Sequence, residues 1–240
     1  MGDVRVVEIV DERDPLADAA LALITDMFAP EDRQPLAELR SEIAERRLGM
    51  MSGGYMHLLA AVEDDAPEPA GVAIGVYLDR VNAGFISYLA VRSESRGRRI
   101  ARMLRPRLIE AFEEDAQRAG HGEPAWVLGE VRRQSPWLRR LVRTRGAIPF
   151  DLRYYHPGMS LDGGEEYVLY RQPLGDARRD LPVALVRRVI YAIYRRAYRV
   201  RYPLQRDIFV DMLRQLECVE TVGVHPAFRD ALEQHDRTTQ

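Results

Sequence analysis

Hydrophobic and polar positions change period several times along the chain, and each change marks an element. Residues 4–10 alternate loosely and are β-rich, which predicts a first or edge strand. Asp14-Pro15 opens a helix running through Leu21 and Ile24 to about Phe28, with proline in the first turn, where its missing N–H does no harm. A polar break at 29–34 precedes a second helix from Pro35 to about Leu48, with Leu36, Leu39 and Ile43 on one face; Gly53-Gly54 ends this helical part. Three strands follow at 55–62, 71–78 and 84–91. The acidic, proline-containing turn 63–70 makes the first two a hairpin. The third strand is nearly continuous in apolar and aromatic residues, as expected of a central strand covered on both faces.

Beyond a polar turn at 92–97, Ile100, Met103, Leu104, Leu108, Ala111 and Phe112 recur at three- and four-residue steps, the pattern of an amphipathic helix. Pro106 lies inside it and predicts a kink, and Gly120 and Gly122 close it. A strand at 125–131, a short helix between Pro136 and Gly146, and strands at 147–155 and 166–172, divided by 157–164, complete this part. After Pro173 only helices are predicted, at 183–200, 205–216 and 226–234. The order gives an α/β fold on a mixed sheet with helices on both faces. It divides the chain into a domain at 1–172 and a helical extension at 173–240.

Composition narrows the function. Lys plus Arg number 35 against 37 acidic residues, a net charge of -2, so no global electrostatic attraction to nucleic acid is indicated. There is no lysine, and the arginine excess is what a G+C-rich coding sequence produces. The single cysteine, Cys218, excludes a disulfide framework and a four-thiolate zinc site within one chain. The five histidines show no i, i+4 pair, and no metal is expected. Apolar runs are too short to span a bilayer, and the acidic start lacks a signal-peptide core, so a cytoplasmic protein without membrane attachment is expected.

The informative stretch runs from Leu89, Ala90 and Val91 through Arg96, Gly97, Arg98 and Arg99 to Ile100 and Ala101. A buried strand, a tight polar turn and a helix opening on glycine and arginine bring free backbone N–H groups and the helix dipole to one place, suited to a pyrophosphate. This segment resembles the acyl-CoA loop of the GNAT acetyltransferase superfamily, Arg/Gln-x-x-Gly-x-Gly/Ala after a strand ending in valine. Arg96, Ile100 and Ala101 fit that pattern, Arg96-Gly97 fits its frequent opening, and Arg99 stands where a glycine is usual. A side chain is tolerated there if the backbone stays helical. The resemblance covers about residues 4–172 in element order.

The resemblance implies acetyl-CoA or another acyl-CoA as co-substrate, and direct attack by a primary amine without an enzyme nucleophile. It implies that the pantetheine arm pairs with backbone groups of Leu89 and Val91, and that an N–H near Leu89 or Ala90 polarises the thioester carbonyl. The family's usual acidic tyrosine falls on Val142, so that acid is absent or comes from elsewhere. Glu130, ending its strand, is the leading general base, with Tyr88 and His156 as the other catalytic candidates. The loop 28–33 corresponds to one that walls the acceptor site. Residues 187–201 hold six arginines interleaved with tyrosines. They read as an amphipathic packing or homodimer helix, with tRNA left open. The rival functions are an aminoacyl-tRNA-dependent acyltransferase and a non-catalytic acyl-CoA-binding module.

Overall fold

A computed structural model describes residues 3–51, 55–64, 68–161 and 167–239. Gly53-Gly54, Glu166 and parts of the predicted turns 63–70 and 157–164 lie outside the described residues. The chain forms two compact units, Met1–Asp79 with Ile86–Gly122, and Arg80–Phe85 with Glu123–Gln240. Residues 123–172 therefore share a unit with the extension.

The first unit contains β1 (Val4–Ile9), α1 (Pro15–Met27), α2 (Leu36–Arg47), β2 (Met56–Glu63), β3 (Gly71–Leu78), most of β4 (Ala83–Val91) and α3 (Ile100–Arg118). Its strand order is β1-β2-β3-β4. β1 and β2 are antiparallel with Val4 opposite Glu63, and β2 and β3 antiparallel with Met56 opposite Val76. Asp14 caps α1 by accepting the Leu16 N–H at 2.8 Å. α3 is one helix across Pro106, and buries Leu104, Leu108 and Phe112. Gly71 makes its close approach possible: a Cβ there would lie 2.7 Å from Ile100 Cγ2 and 2.8 Å from the Ala90 carbonyl oxygen.

The second unit holds the start of β4, β5 (Trp126–Arg132), α4 (Pro136–Arg145), β6 (Ile148–Pro149) and β7 (Tyr167–Pro173). β7 lies between β5 and β6, antiparallel to both, with Trp126 opposite Pro173 and Arg132 opposite Tyr167. The strand predicted at 147–155 is only two residues long. Phe150 still bonds Leu169 O, but the Asp151 N–H goes to Gly223 O and the His225 N–H to Pro149 O. By ladder alternation the Asp151 N–H and the Pro149 carbonyl point away from β7, so the extension pairs with the outer edge of this segment, while the segment's contact with β7 shrinks to single bridges.

After β7 come β8 (Leu181–Pro182), α5 (Val183–Ala192), α6 (Asp207–Gln215), β9 (Thr221–Val222) and α7 (Arg229–Thr239). The expectation of helices alone is corrected by the β8–β9 pair. The helix predicted to reach residue 200 stops sooner: α5 loosens into a π-turn at Ile193–Ala197, closed by Tyr198 N–H to Ile193 O at 3.1 Å. Val186, Val189, Ile190, Ile193 and Tyr194 are buried, so this face is a packing face. Fully buried Arg171 fastens the start of the extension by donating to the Arg178 and Arg179 carbonyls. Burial brings its pKa down to about 10 against the opposing charges of Asp176 and Asp180.

Candidate active site

In the first unit, β4 ends at Val91, a 3-10 turn spans Ser93–Ser95, and α3 begins at Ile100. Burial along β4 is complete to Ile86 and then alternates, with Ser87, Leu89 and Val91 half-buried. The Arg92 N–H bonds Ala70 O, and the Ala90 carbonyl faces Gly71. By ladder alternation the peptide groups of Leu89 and Val91 turn to the other edge of β4. Arg96, Gly97 and Arg99 are exposed, and Ile100 is buried beneath them.

Two details of the turn differ from the simplest expectation. Arg99 is not helical: its φ of 65° and ψ of 17° are left-handed, so it caps α3 in the conformation that glycine adopts without strain. Arg98 reaches Glu63, with Nη1 2.5 Å from Oε1, and this bond holds the Glu63 carboxyl below its ordinary range. That leaves Arg96 and Arg99 as the exposed guanidiniums of the turn. Together with the N–H groups at the start of α3, where the helix dipole is positive, they suit a pyrophosphate.

Tyr88 also belongs to the first unit. Its hydroxyl accepts the Gln34 N–H at 2.9 Å, and its ring meets Phe28 edge-on at 5.1 Å. It therefore pins both ends of the loop that contains the 3-10 turn Pro30–Asp32. Glu130 and His156 belong to the second unit and come together there. The Glu130 side chain is 4% exposed, and its Oε1 lies 3.6 Å from His156 Nε2. His156 Nδ1 accepts the Gly158 N–H at 3.1 Å, so in the neutral ring the proton sits on Nε2, toward the carboxylate. Tyr198 donates its hydroxyl to the same Oε1 at 2.8 Å. Burial, then the charge of Glu130, pushes the Tyr154 and Tyr194 hydroxyls well above the usual tyrosine pKa, keeping both protonated.

Sequence reasoning did not find Tyr198. Its signal was the 191, 194, 198 spacing of tyrosines, whose last two members face inward. Nor did it find His57, which lies in the first unit between two carboxylates, Nδ1 2.6 Å from Glu8 and Nε2 2.9 Å from Asp115. Val142, at the usual acid's place, is fully buried in the α4 core with Leu138 and Ile148. No group of three His, Cys, Asp or Glu suited to a metal occurs among the described residues. No helix of the described residues is long and apolar enough to cross a membrane.

Residues 20–140 match the model of the acetyltransferase (GNAT) family, and the chain belongs to that family. The fold agrees. A GNAT-family structure from Bacteroides thetaiotaomicron superposes with a TM-score of 0.54 at 16% identity, covering 82% of this chain and 99% of the other. An Acinetobacter baylyi acetyltransferase structure gives 0.52 at 13% identity, covering 73% and 96%. A Desulfovibrio desulfuricans GNAT structure gives 0.50 at 19%, covering 71% and 99%. No curated protein sequence matches. Family membership makes the chain an acyl-CoA-dependent acetyltransferase whose GNAT core is followed by additional C-terminal helices.

Proposed function

We propose that the protein transfers an acetyl or related acyl group from acyl-CoA to the primary amine of a small molecule, by direct attack within a ternary complex. The observation that carries this reading is Glu130, a carboxylate 4% exposed at its side chain, with the Tyr198 hydroxyl and the His156 ring drawn up to one oxygen. A buried carboxylate is costly to maintain unless polar partners hold it. A held carboxylate near a strand end suits acceptance of a proton from an ammonium.

Bound acyl-CoA supplies the activated thioester and its thiolate leaving group. The turn at residues 96–101 holds the pyrophosphate through α3 N–H groups and the guanidiniums of Arg96 and Arg99. The outward edge of β4 at Leu89 and Val91 takes the pantetheine arm as an added strand would. Ladder alternation favours the Leu89 N–H over that of Ala90 as the donor to the thioester oxygen. Glu130 takes the amine's proton, directly or through water, and Tyr88 sets the acceptor loop through residue 34. In this reading residues 1–172 carry the transfer chemistry and 173–240 support it.

The test is turnover of acetyl-CoA with a panel of an alkylpolyamine, an arylalkylamine, an aminoglycoside and a free peptide N-terminus. With the best acceptor, Glu130→Gln should lose about 10²-fold in kcat/KM while CoA binding is unchanged. Full activity of the variant from about pH 6 to 9 would remove Glu130 as the base.

A further inference from the structure

The family's usual acidic tyrosine falls on Val142, which is sealed in the α4 core. The extension brings a tyrosine of its own to the base. α5 does not end as a plain helix: the π-turn at Ile193–Ala197 inserts a wider loop of backbone, and Tyr198 follows it directly. Single π-turns of this kind are frequent at functional sites. Tyr194 and Tyr198, four positions apart, both point inward. Tyr194 is anchored by its hydroxyl on the Tyr155 carbonyl at 2.6 Å. The Tyr198 ring is gripped edge-on by Phe85 at 5.7 Å and His156 at 4.8 Å. Its hydroxyl reaches Glu130 Oε1 at 2.8 Å, from 68 positions away in sequence.

We propose that Tyr198 is a positioning residue for Glu130, so that the C-terminal extension completes the proton-accepting group of the GNAT core. This rests on the reading of Glu130 as the base. A hydroxyl donor on Oε1 fixes the carboxylate's rotamer and favours its ionised form, the form that accepts a proton. Among the groups facing Glu130 are the hydroxyls of Tyr198 and Tyr154 and the Nε2–H of His156, and the carboxylate's charge also couples to Tyr194, helping to keep that hydroxyl protonated. Arg206, whose guanidinium donates to the Pro157 carbonyl, offsets that coupling at Tyr194. Tyr198 is the member of this group that comes from beyond the π-turn.

The experiment compares wild type, Tyr198→Phe, Glu130→Gln and the double variant, using acetyl-CoA and the best amine of the panel. Each protein is also titrated by infrared difference spectroscopy of the carboxyl stretch, assigned by its loss in Glu130→Gln. Tyr198→Phe keeps the ring contacts. It should lower kcat/KM about tenfold and move both the acid limb of the profile and the carboxyl titration up by about one pH unit. It should add nothing in the Glu130→Gln background. If Glu130→Gln is slow and Tyr198→Phe leaves rate and titration unchanged, the proposal is overturned and the base stands. An equal loss from Tyr198→Phe in both backgrounds also overturns it, because the tyrosine then acts independently of Glu130. Full activity of Glu130→Gln overturns the base and, with it, the proposal. Should Tyr198→Phe not fold, 3-fluorotyrosine at position 198, a stronger donor, must move the carboxyl titration to lower pH; an unmoved titration overturns the proposal.

Discussion

Arg98 and Glu63 form an ion pair, with Nη1 2.5 Å from Oε1, that ties the turn before α3 to the end of β2. With Arg98 so engaged, the proposed pyrophosphate contact falls to Arg96 and Arg99. Calorimetry with CoA should show Arg98→Ala within about twofold of wild type, whereas Arg96→Ala and Arg99→Ala each weaken binding by roughly three- to tenfold through lost charge-assisted bonds. A larger loss from Arg98→Ala than from the other two would mean that Arg98 leaves Glu63 for the phosphates.

The left-handed backbone of Arg99, φ 65°, carries strain that a glycine would not. Arg99→Gly should therefore raise stability by about 0.5–1 kcal/mol, seen as a higher urea midpoint at unchanged m-value. The same variant should keep the turn's backbone while losing one guanidinium. A lower midpoint would show that the Arg99 side chain contributes more than the strain costs.

His57 predicts a stability profile with two limbs. Burial disfavours its charged form, but bonds to Asp115 and Glu8 outweigh this and raise its pKa above 6.5. Its stabilising contribution is thus complete below 6.5 and fades as pH climbs through the raised value. Burial also works against charge on Glu8, yet bonds from His57 and Arg46 bring its pKa down to about 2 from 4.5. That contribution is complete above 4.5 and fades as pH falls toward 2. Denaturation midpoints should be highest between 4.5 and 6.5, the two ordinary values. His57→Gln should lose about 1.5–3 kcal/mol, because the charge-assisted bonds to Glu8 and Asp115 go while Arg46 and Arg118 still face the two carboxylates. A midpoint that rises steadily from pH 6 to 9 would contradict the assignment.

The extension buries apolar residues instead of presenting them. Truncation after Gln172 should give a protein of lower solubility and lower melting temperature. Its arginines are also partly committed, Arg187 to the Leu216 carbonyl and Arg195 to those of Val200 and Arg201. Filter binding with tRNA should accordingly be weak and vanish at moderate salt. A soluble truncated protein of unchanged melting temperature, or tight tRNA binding at physiological salt, would contradict this account of the extension.

Much of the fold was legible because local periodicity decides it. β3 falls on its predicted residues, and α1, α2 and α3 begin and end within a few residues of their sequence signals. Residues 147–155 misled because Ile148, Phe150, Leu152 and Tyr154 alternate and are all buried, as in a strand. Their backbone partners, however, lie partly at 223–225, which no local pattern reveals. The turn proposed to hold the acyl-CoA was legible as a strand–turn–helix junction, but not the sign of φ at Arg99, which the tight turn imposes against the residue's preference. Glu130 was legible at a strand end. Tyr198 and the His57 cluster were not, because each joins elements separated by dozens of residues, and only the folded chain places them together.

The central claim is that the turn at residues 96–101 holds the pyrophosphate of an acyl-CoA donor. Isothermal titration of the full chain with acetyl-CoA and with S-acetyl-pantetheine, which lacks the pyrophosphate and nucleotide, tests it most directly. The account predicts that acetyl-CoA binds at least about 100-fold more tightly, since several charge-assisted and helix-start bonds are lost together. Equal affinities for the two would contradict it.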